Sequence, residues 1–128
     1  MIRRNETSRV LICDDEPALR DLMRIALIGD YVFEEAATVA EAIEAADRFR
    51  PDLILVDVMM PTGSGLDVVA HARNQRDLPR ARTIVISAFT DEPDRRRAHE
   101  AGADAFMPKP FDPDELSALV RDLLSTPG

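Results

Sequence analysis

Five side chains able to handle phosphate or a metal ion stand at the ends of four short apolar runs. Val10-Leu11-Ile12-Cys13 leads into Asp14 and Asp15, and Leu53-Ile54-Leu55-Val56 leads into Asp57. Thr83-Ile84-Val85-Ile86 leads into Ser87, and Ala105-Phe106-Met107-Pro108 into Lys109. If the runs are parallel strands of one sheet, all five groups emerge at one edge, where open parallel sheets bind ligands. Carboxylates about 4 Å apart repel by ~1 kcal/mol in water and ~4 kcal/mol at an effective dielectric of 20. Asp14, Asp15 and Asp57 together therefore require a cation or protons. All-oxygen ligation selects Mg²⁺ or Mn²⁺, and Mg²⁺ keeps room for phosphate oxygens. Lys109 supplies a point charge for a further phosphate oxygen, and Ser87 a hydroxyl donor. One carboxylate could instead be a nucleophile that forms an aspartyl phosphate. Phosphoryl transfer asks mainly for positioning and charge neutralisation.

The elements that must hold these groups follow from periodicity. Strand-like runs alternate with helical ones five times. After Arg9 to Cys13, Pro17 occupies a first helical turn, where its missing N–H costs nothing. Leu19, Leu22, Met23, Ala26 and Leu27 then form one helical face, ended by Gly29-Asp30. A second strand spans about Tyr31 to Ala37. Thr38 and Glu41 form a capping-box pattern for a helix whose stripe is Val39, Ala42, Ile43 and Ala46, stopped by Pro51. The third run is apolar throughout, as in strands covered by helices on both faces. Pro61 to Gly65 reads as a loop, followed by a helix from about Leu66 to Asn74. The fourth strand spans Thr83 to Ser87. A fourth helix, from near Pro93 to Gly102, has the weakest apolar pattern and carries Arg95-Arg96-Arg97, read as a solvated face. The fifth strand spans Ala105 to Pro108. The last helix starts near Pro113 and presents Leu116, Leu119, Val120, Leu123 and Leu124. This alternation predicts an α/β domain with a parallel sheet. Pattern alone leaves the strand order open.

Bulk properties narrow the function. The chain of 128 residues is one ordinary domain and needs no structural metal or disulfide. Cys13 is its only cysteine, which fits a reducing compartment and reads as a small buried hydrophobe. His71 and His99 lack metal-ligand spacing and read as surface residues. The amino-terminal segment lacks the apolar stretch of a signal peptide, and no run reaches membrane-spanning length. A cytoplasmic, non-membrane location is expected. Sixteen Lys and Arg against twenty-four Asp and Glu give a formal charge of −8, which argues against direct nucleic-acid binding.

Taken singly the motifs are bland: Asp14-Asp15 could be a helix-capping turn, and Ser87 or Lys109 alone mean nothing. Together and in order they carry a resemblance. The motifs are Leu11-Ile12-Cys13-Asp14-Asp15-Glu16-Pro17, Leu53 to Pro61 around Asp57, Gly63-Ser64-Gly65, Ser87-Ala88, Gly102-Ala103-Asp104 and Lys109-Pro110-Phe111. Over about residues 9–124 the chain resembles the receiver domains of two-component response regulators, of the CheY-like superfamily. The resemblance implies a flavodoxin-like (βα)5 fold, with a five-stranded parallel sheet of order 2-1-3-4-5 and helices on both faces. It implies that Asp57 is the phosphoacceptor, and that Asp15, Asp57 and the backbone carbonyl of Met59 bind Mg²⁺, with Asp14 acting largely through water. Ser87 is then the switch hydroxyl, Phe106 the aromatic switch residue and Lys109 the phosphate-binding lysine. A cis Lys109–Pro110 bond is also implied.

The implied partners are a histidine kinase or histidine phosphotransfer protein, and a downstream protein at the face of helix 4, strand 5 and helix 5. The domain would be a signalling module that assists its own phosphorylation and dephosphorylation rather than an enzyme. Three positions depart from the common pattern. Serine replaces threonine at 87. Ala105 stands where a large DNA-binding subfamily has an acid that helps a salt-bridged dimer, so a monomer or weak dimer is expected. Met59 and Phe89 are both bulky and apolar beside Asp57, which predicts a long-lived aspartyl phosphate. The initial Met1 favours a complete single-domain regulator, residues 1–128, while the Ser125-Thr126-Pro127-Gly128 end leaves open a fragment lacking an output domain. Two rivals come from other classes. An aspartate-nucleophile phosphatase needs a second acid two residues after the nucleophile, where Met59 stands. A flavodoxin-like ligand binder needs a phosphate loop free of the charge of Asp14-Asp15-Glu16.

Overall fold

The computed structural model describes residues 7–75 and 81–125. Residues 126–128, part of the end read above as leaving a missing output domain open, lie outside the described residues, as do residues 1–6 and 76–80. Five strands form one parallel sheet: β1 (Ser8–Cys13), β2 (Tyr31–Ala36), β3 (Leu53–Asp57), β4 (Arg82–Ser87) and β5 (Ala105–Pro108). Their order is β2-β1-β3-β4-β5. Five helices alternate with them: α1 (Pro17–Ala26), α2 (Val39–Phe49), α3 (Gly65–Arg73), α4 (Glu92–Ala101) and α5 (Pro113–Ser125). This is the flavodoxin-like arrangement, and the order reverses between β1 and β3, where such sheets place ligands.

Side chains alternate across the sheet and build two cores. Val10, Ile12, Leu53, Leu55, Ile84 and Ile86 meet Met23, Ala26 and Leu27 of the α1 segment and Leu116 and Val120 of α5. Leu11, Cys13, Ile54, Val56 and Val85 meet α2, α3 and α4 through Val39, Ala42, Val68, Val69, Ala72 and Ala98. Both faces are thus covered, which is why β3 could be apolar throughout. Cys13 is fully buried, and burial together with the Asp14 charge pushes its thiol well above the ordinary range.

Local signals account for most boundaries. Pro17 opens α1. Thr38 Oγ1 accepts the Glu41 N–H at 3.1 Å, while Glu41 Oε1 accepts from the Ala37 N–H at 2.9 Å. The returning bond of the capping box therefore lands one residue before the cap. Asp91 caps α4 through the Asp94 N–H, and Gly102 ends that helix at φ 111°, a left-handed position that favours glycine. Two expectations are corrected. Pro61 to Gly65 is not wholly loop, because Gly63–Ser64 pairs with Met59–Met60 as a short antiparallel ladder and Gly65 already opens α3. The buried face of the α1 segment is also narrower than its apolar stripe: Met23, Ala26 and Leu27 join the core, while Leu22 is 53% exposed.

Candidate phosphoacceptor and metal site

The four strand ends do converge. Asp57 is the last residue of β3 and Ser87 the last of β4; Asp14 follows β1 and Lys109 follows β5. Parallel pairing of Cys13 with Val56, Asp57 with Ile86, and Ser87 with Pro108 brings these termini into line.

At the centre, Lys109 Nζ donates to Asp14 Oδ2 and to Asp57 Oδ2, each at 3.0 Å. Asp14 is completely buried and Asp57 nearly so. Two buried carboxylates thus share one ammonium, and relief of their repulsion comes first from the protein itself. Their other oxygens are also engaged. Asp14 Oδ1 accepts the Glu16 N–H at 2.9 Å, and Asp57 Oδ1 accepts the Met59 N–H at 3.3 Å. Burial pushes the Asp57 carboxyl above its ordinary value despite the opposing bonds from Lys109. Burial also opposes the Lys109 charge, but the bonds to Asp14 and Asp57 outweigh it and raise the ammonium's pKa. Lys109 therefore stays charged. The Lys109–Pro110 peptide that follows is cis.

Among the described residues, the acids whose oxygens lie within 4.8 Å of one another are Asp14, Asp15 and Glu16. Asp57 is not in that group; it joins Asp14 instead through their shared bond to Lys109. Glu16 was not among the expected ligands, although its place directly after two acids was a visible signal. The donor set is all oxygen, which fits a hard divalent cation. Arg20 from α1 steadies this loop, donating from Nη1 to the Asp14 carbonyl at 2.6 Å and from Nε to Glu35 at 2.7 Å.

Ser87 is buried, and its Oγ accepts the Phe89 N–H at 3.0 Å. Its backbone carbonyl accepts the Lys109 N–H at 2.9 Å, tying β4 to the lysine. Phe106 is half-buried against the α2–α4 core, with the Arg95 guanidinium 4.7 Å from its ring centroid. The solvated-face reading of the arginine run holds: Arg95, Arg96 and Arg97 are all exposed, Arg96 and Arg97 pairing with Glu92 and Asp94 of their own helix and Arg95 reaching over Phe106. His71 lies at the surface as expected, with its Nε2 2.8 Å from Asp47 Oδ1 on α2.

Gly65, quoted above only as part of a turn, has a stringent role. A Cβ there would lie 1.9 Å from the Asp57 carbonyl oxygen and 2.8 Å from Val56 Cγ2. The Gly65 N–H also donates to the Val58 carbonyl at 2.8 Å. The start of α3 thus rests directly on the backbone that carries Asp57, and only glycine allows that approach.

A doubly wound sheet with carboxylates, a hydroxyl and a lysine at its carboxyl edge defines a phosphate-handling α/β domain. The response regulator receiver domain family matches residues 10–121, and the chain belongs to that family. The KDP operon transcriptional regulatory protein KdpE of Escherichia coli (strain K12) is 40% identical over 116 residues, covering 89% of this chain and 50% of that protein. Response regulator Rre1 of Synechocystis sp. is 34% identical over 122 residues, covering 94% and 53%. The chain spans about half the length of the curated relatives it matches. Among solved structures, a putative response regulator from Chloroflexus aurantiacus superposes with a TM-score of 0.86 at 26% identity, covering 94% of this chain and 100% of that one. The signal receiver domain of the putative response regulator NarL from Mycobacterium tuberculosis gives 0.85 at 32% identity, covering 95% and 99%. Receiver domains generally bind Mg²⁺, and the acidic cluster at the end of β1 fits that property. No helix among the described residues is long and apolar enough to cross a membrane.

Proposed function

We propose that Asp57 accepts a phosphoryl group from a phosphohistidine on a histidine kinase or histidine phosphotransfer protein. The observation that carries this reading is Lys109, held 3.0 Å from both Asp14 and Asp57 at the sheet's carboxyl edge. In the step, a carboxylate oxygen of Asp57 forms a bond to phosphorus as the nitrogen–phosphorus bond breaks. The imidazole keeps that electron pair and takes a proton. Lys109 is already placed to meet a new anionic oxygen on Asp57, and Ser87 supplies a hydroxyl once it turns from Phe89. Asp14, Asp15, Asp57 and the Met59 carbonyl, with Glu16 as a neighbouring donor, would hold Mg²⁺. Such an ion neutralises charge on the phosphoryl oxygens.

Contacts of Ser87 and Lys109 that exist only in the phosphorylated state supply the differential energy that shifts a conformational equilibrium. The shift is read by a protein partner on the face of α4, β5 and α5, where Phe106 lies. Residues 1–128 act in this reading as one receiver domain, a monomer or weak dimer in the cytoplasm, with no nucleic-acid contact of its own. It assists its own phosphorylation and dephosphorylation and turns over no other substrate. Met59 and Phe89, 59% and 52% exposed, are the bulky apolar neighbours that the family resemblance sets beside Asp57, and in this reading they hinder the attacking water. The aspartyl phosphate is therefore long-lived, and a half-life of seconds in purified protein with Mg²⁺ would refute that point. The phosphatase alternative lacks support, because Met59 cannot transfer a proton. The test is incubation with acetyl phosphate and Mg²⁺, followed by intact mass. A phosphoryl gain lost in Asp57→Asn is expected; absence of labelling, or labelling unaffected by that substitution, would overturn the reading.

A further inference from the structure

Arg95 stands apart from the two arginines beside it. Its guanidinium lies over the ring of Phe106, and its Nε donates to the Thr90 carbonyl at 3.0 Å. One side chain on α4 thus touches both the half-buried aromatic ring of β5 and the loop that leaves Ser87. The same loop is held at its other end by the 3.0 Å bond from the Phe89 N–H to Ser87 Oγ. Ser87, Phe89, Thr90, Arg95 and Phe106 therefore form a continuous chain of contacts.

We propose that Arg95 is a positioning residue of the switch: a strap that holds Phe106 and the 88–90 loop in the unphosphorylated arrangement. When Ser87 rotates toward a phosphoryl oxygen, the Phe89 N–H loses its acceptor. The loop must then re-form, the Thr90 carbonyl moves, and the guanidinium loses the bond that aims it at the ring. A cation over an aromatic face is worth enough at an exposed site to bias an equilibrium about two- to fivefold. Because binding linkage is reciprocal, removing the strap tightens phosphoryl-mimic binding by the same factor. This inference rests on the reading of Asp57 as phosphoacceptor.

The experiment uses the full chain with 4-fluorophenylalanine, the Phe106 fluorine signal being assigned by its loss in Phe106→Leu. Arg95→Met keeps the stem and removes the charge and the Nε donor. In the unliganded protein its Phe106 signal should move toward the position seen with beryllofluoride, an aspartyl phosphate mimic. Its beryllofluoride affinity should rise two- to fivefold. Arg95→Lys, which keeps a cation near the ring, should fall between wild type and Arg95→Met in both measurements. An unmoved signal in Arg95→Met, a moved signal without tighter binding, or Arg95→Lys identical to Arg95→Met would each overturn the strap. If wild type takes up neither beryllofluoride nor acetyl phosphate, the phosphoacceptor reading fails, while the unliganded Phe106 signal still judges the Arg95 contact.

Discussion

Gly65→Ala is the substitution whose effect the geometry specifies most closely. The new Cβ would sit 1.9 Å from the Asp57 carbonyl oxygen. Reaching even the ~3.0 Å floor of real carbon contacts takes a shift of about 1.1 Å between α3 and the end of β3. The blocking atoms are backbone, with Val56 Cγ2 behind them at 2.8 Å, so no side-chain rotation relieves the clash. Overpacking in a close-packed region costs about 1–3 kcal/mol and more where backbone must move, which places this variant at about 3 kcal/mol. Because the displaced segment carries the proposed nucleophile, and misplacement by about 1 Å can cost roughly 10²-fold in rate, acetyl phosphate labelling of Asp57 should fall by about that factor. Urea unfolding and time-resolved intact mass read the two effects. Gly63→Ala is the internal control, since its Cβ would meet no backbone but only side-chain atoms, the nearest being Val39 Cγ2 at 3.1 Å; it should cost about 1 kcal/mol or less. Wild-type stability and labelling in Gly65→Ala, or equal losses in the two variants, would refute the reasoning.

Lys109→Met leaves Asp14 and Asp57 buried without their shared cation. Breaking such a pair should cost about 3 kcal/mol at pH 7, and millimolar Mg²⁺ should recover part of the loss in urea titrations. Asp57 also sets a pH dependence. Its folded-state pKa lies above the ordinary 3.8, so the stability it contributes is fully present below that value and is lost as pH rises through the raised one. Asp57→Asn should therefore gain stability relative to wild type as pH climbs from about 4 toward neutrality. Parallel or converging pH–stability curves for the two proteins would contradict this. Thr38→Ala removes the acceptor for the Glu41 N–H and should destabilise by about 1 kcal/mol, read as a lower thermal midpoint without loss of labelling.

Much of the fold was legible in the chain because its signals are local. Pro17, Thr38, Gly102 and Pro113 mark helix ends through backbone chemistry that depends on a few neighbours. The strand at 53–57 announced burial on both faces by having no polar position before Asp57. Burial within helices was less legible. Leu22 and Ala26 share one helical stripe, yet only contact with the sheet decides that Ala26 is inside and Leu22 outside. The short ladder of residues 59–60 with 63–64 was hidden for a similar reason, since two-residue pairing has too little length to show a period.

The site divides the same way. Which groups belong to it follows from sequence: apolar runs of a parallel sheet must end at one edge, so Asp14, Asp15, Asp57, Ser87 and Lys109 had to meet. How those groups are shared follows only from three-dimensional packing. Burial of Asp14 makes it a partner of Lys109 as much as a candidate metal ligand, and Asp57 is turned to the same ammonium rather than to Asp15 and Glu16. The approach of Gly65 to the Asp57 backbone and the place of Arg95 over Phe106 join residues far apart in the chain. No local rule encodes those distances, because they depend on how α3 and α4 settle against the sheet. The sequence by itself determined the chemical inventory and the edge on which it gathers. Packing between the elements decided which charges are paired, which backbone needs glycine, and which arginine lies over an aromatic ring.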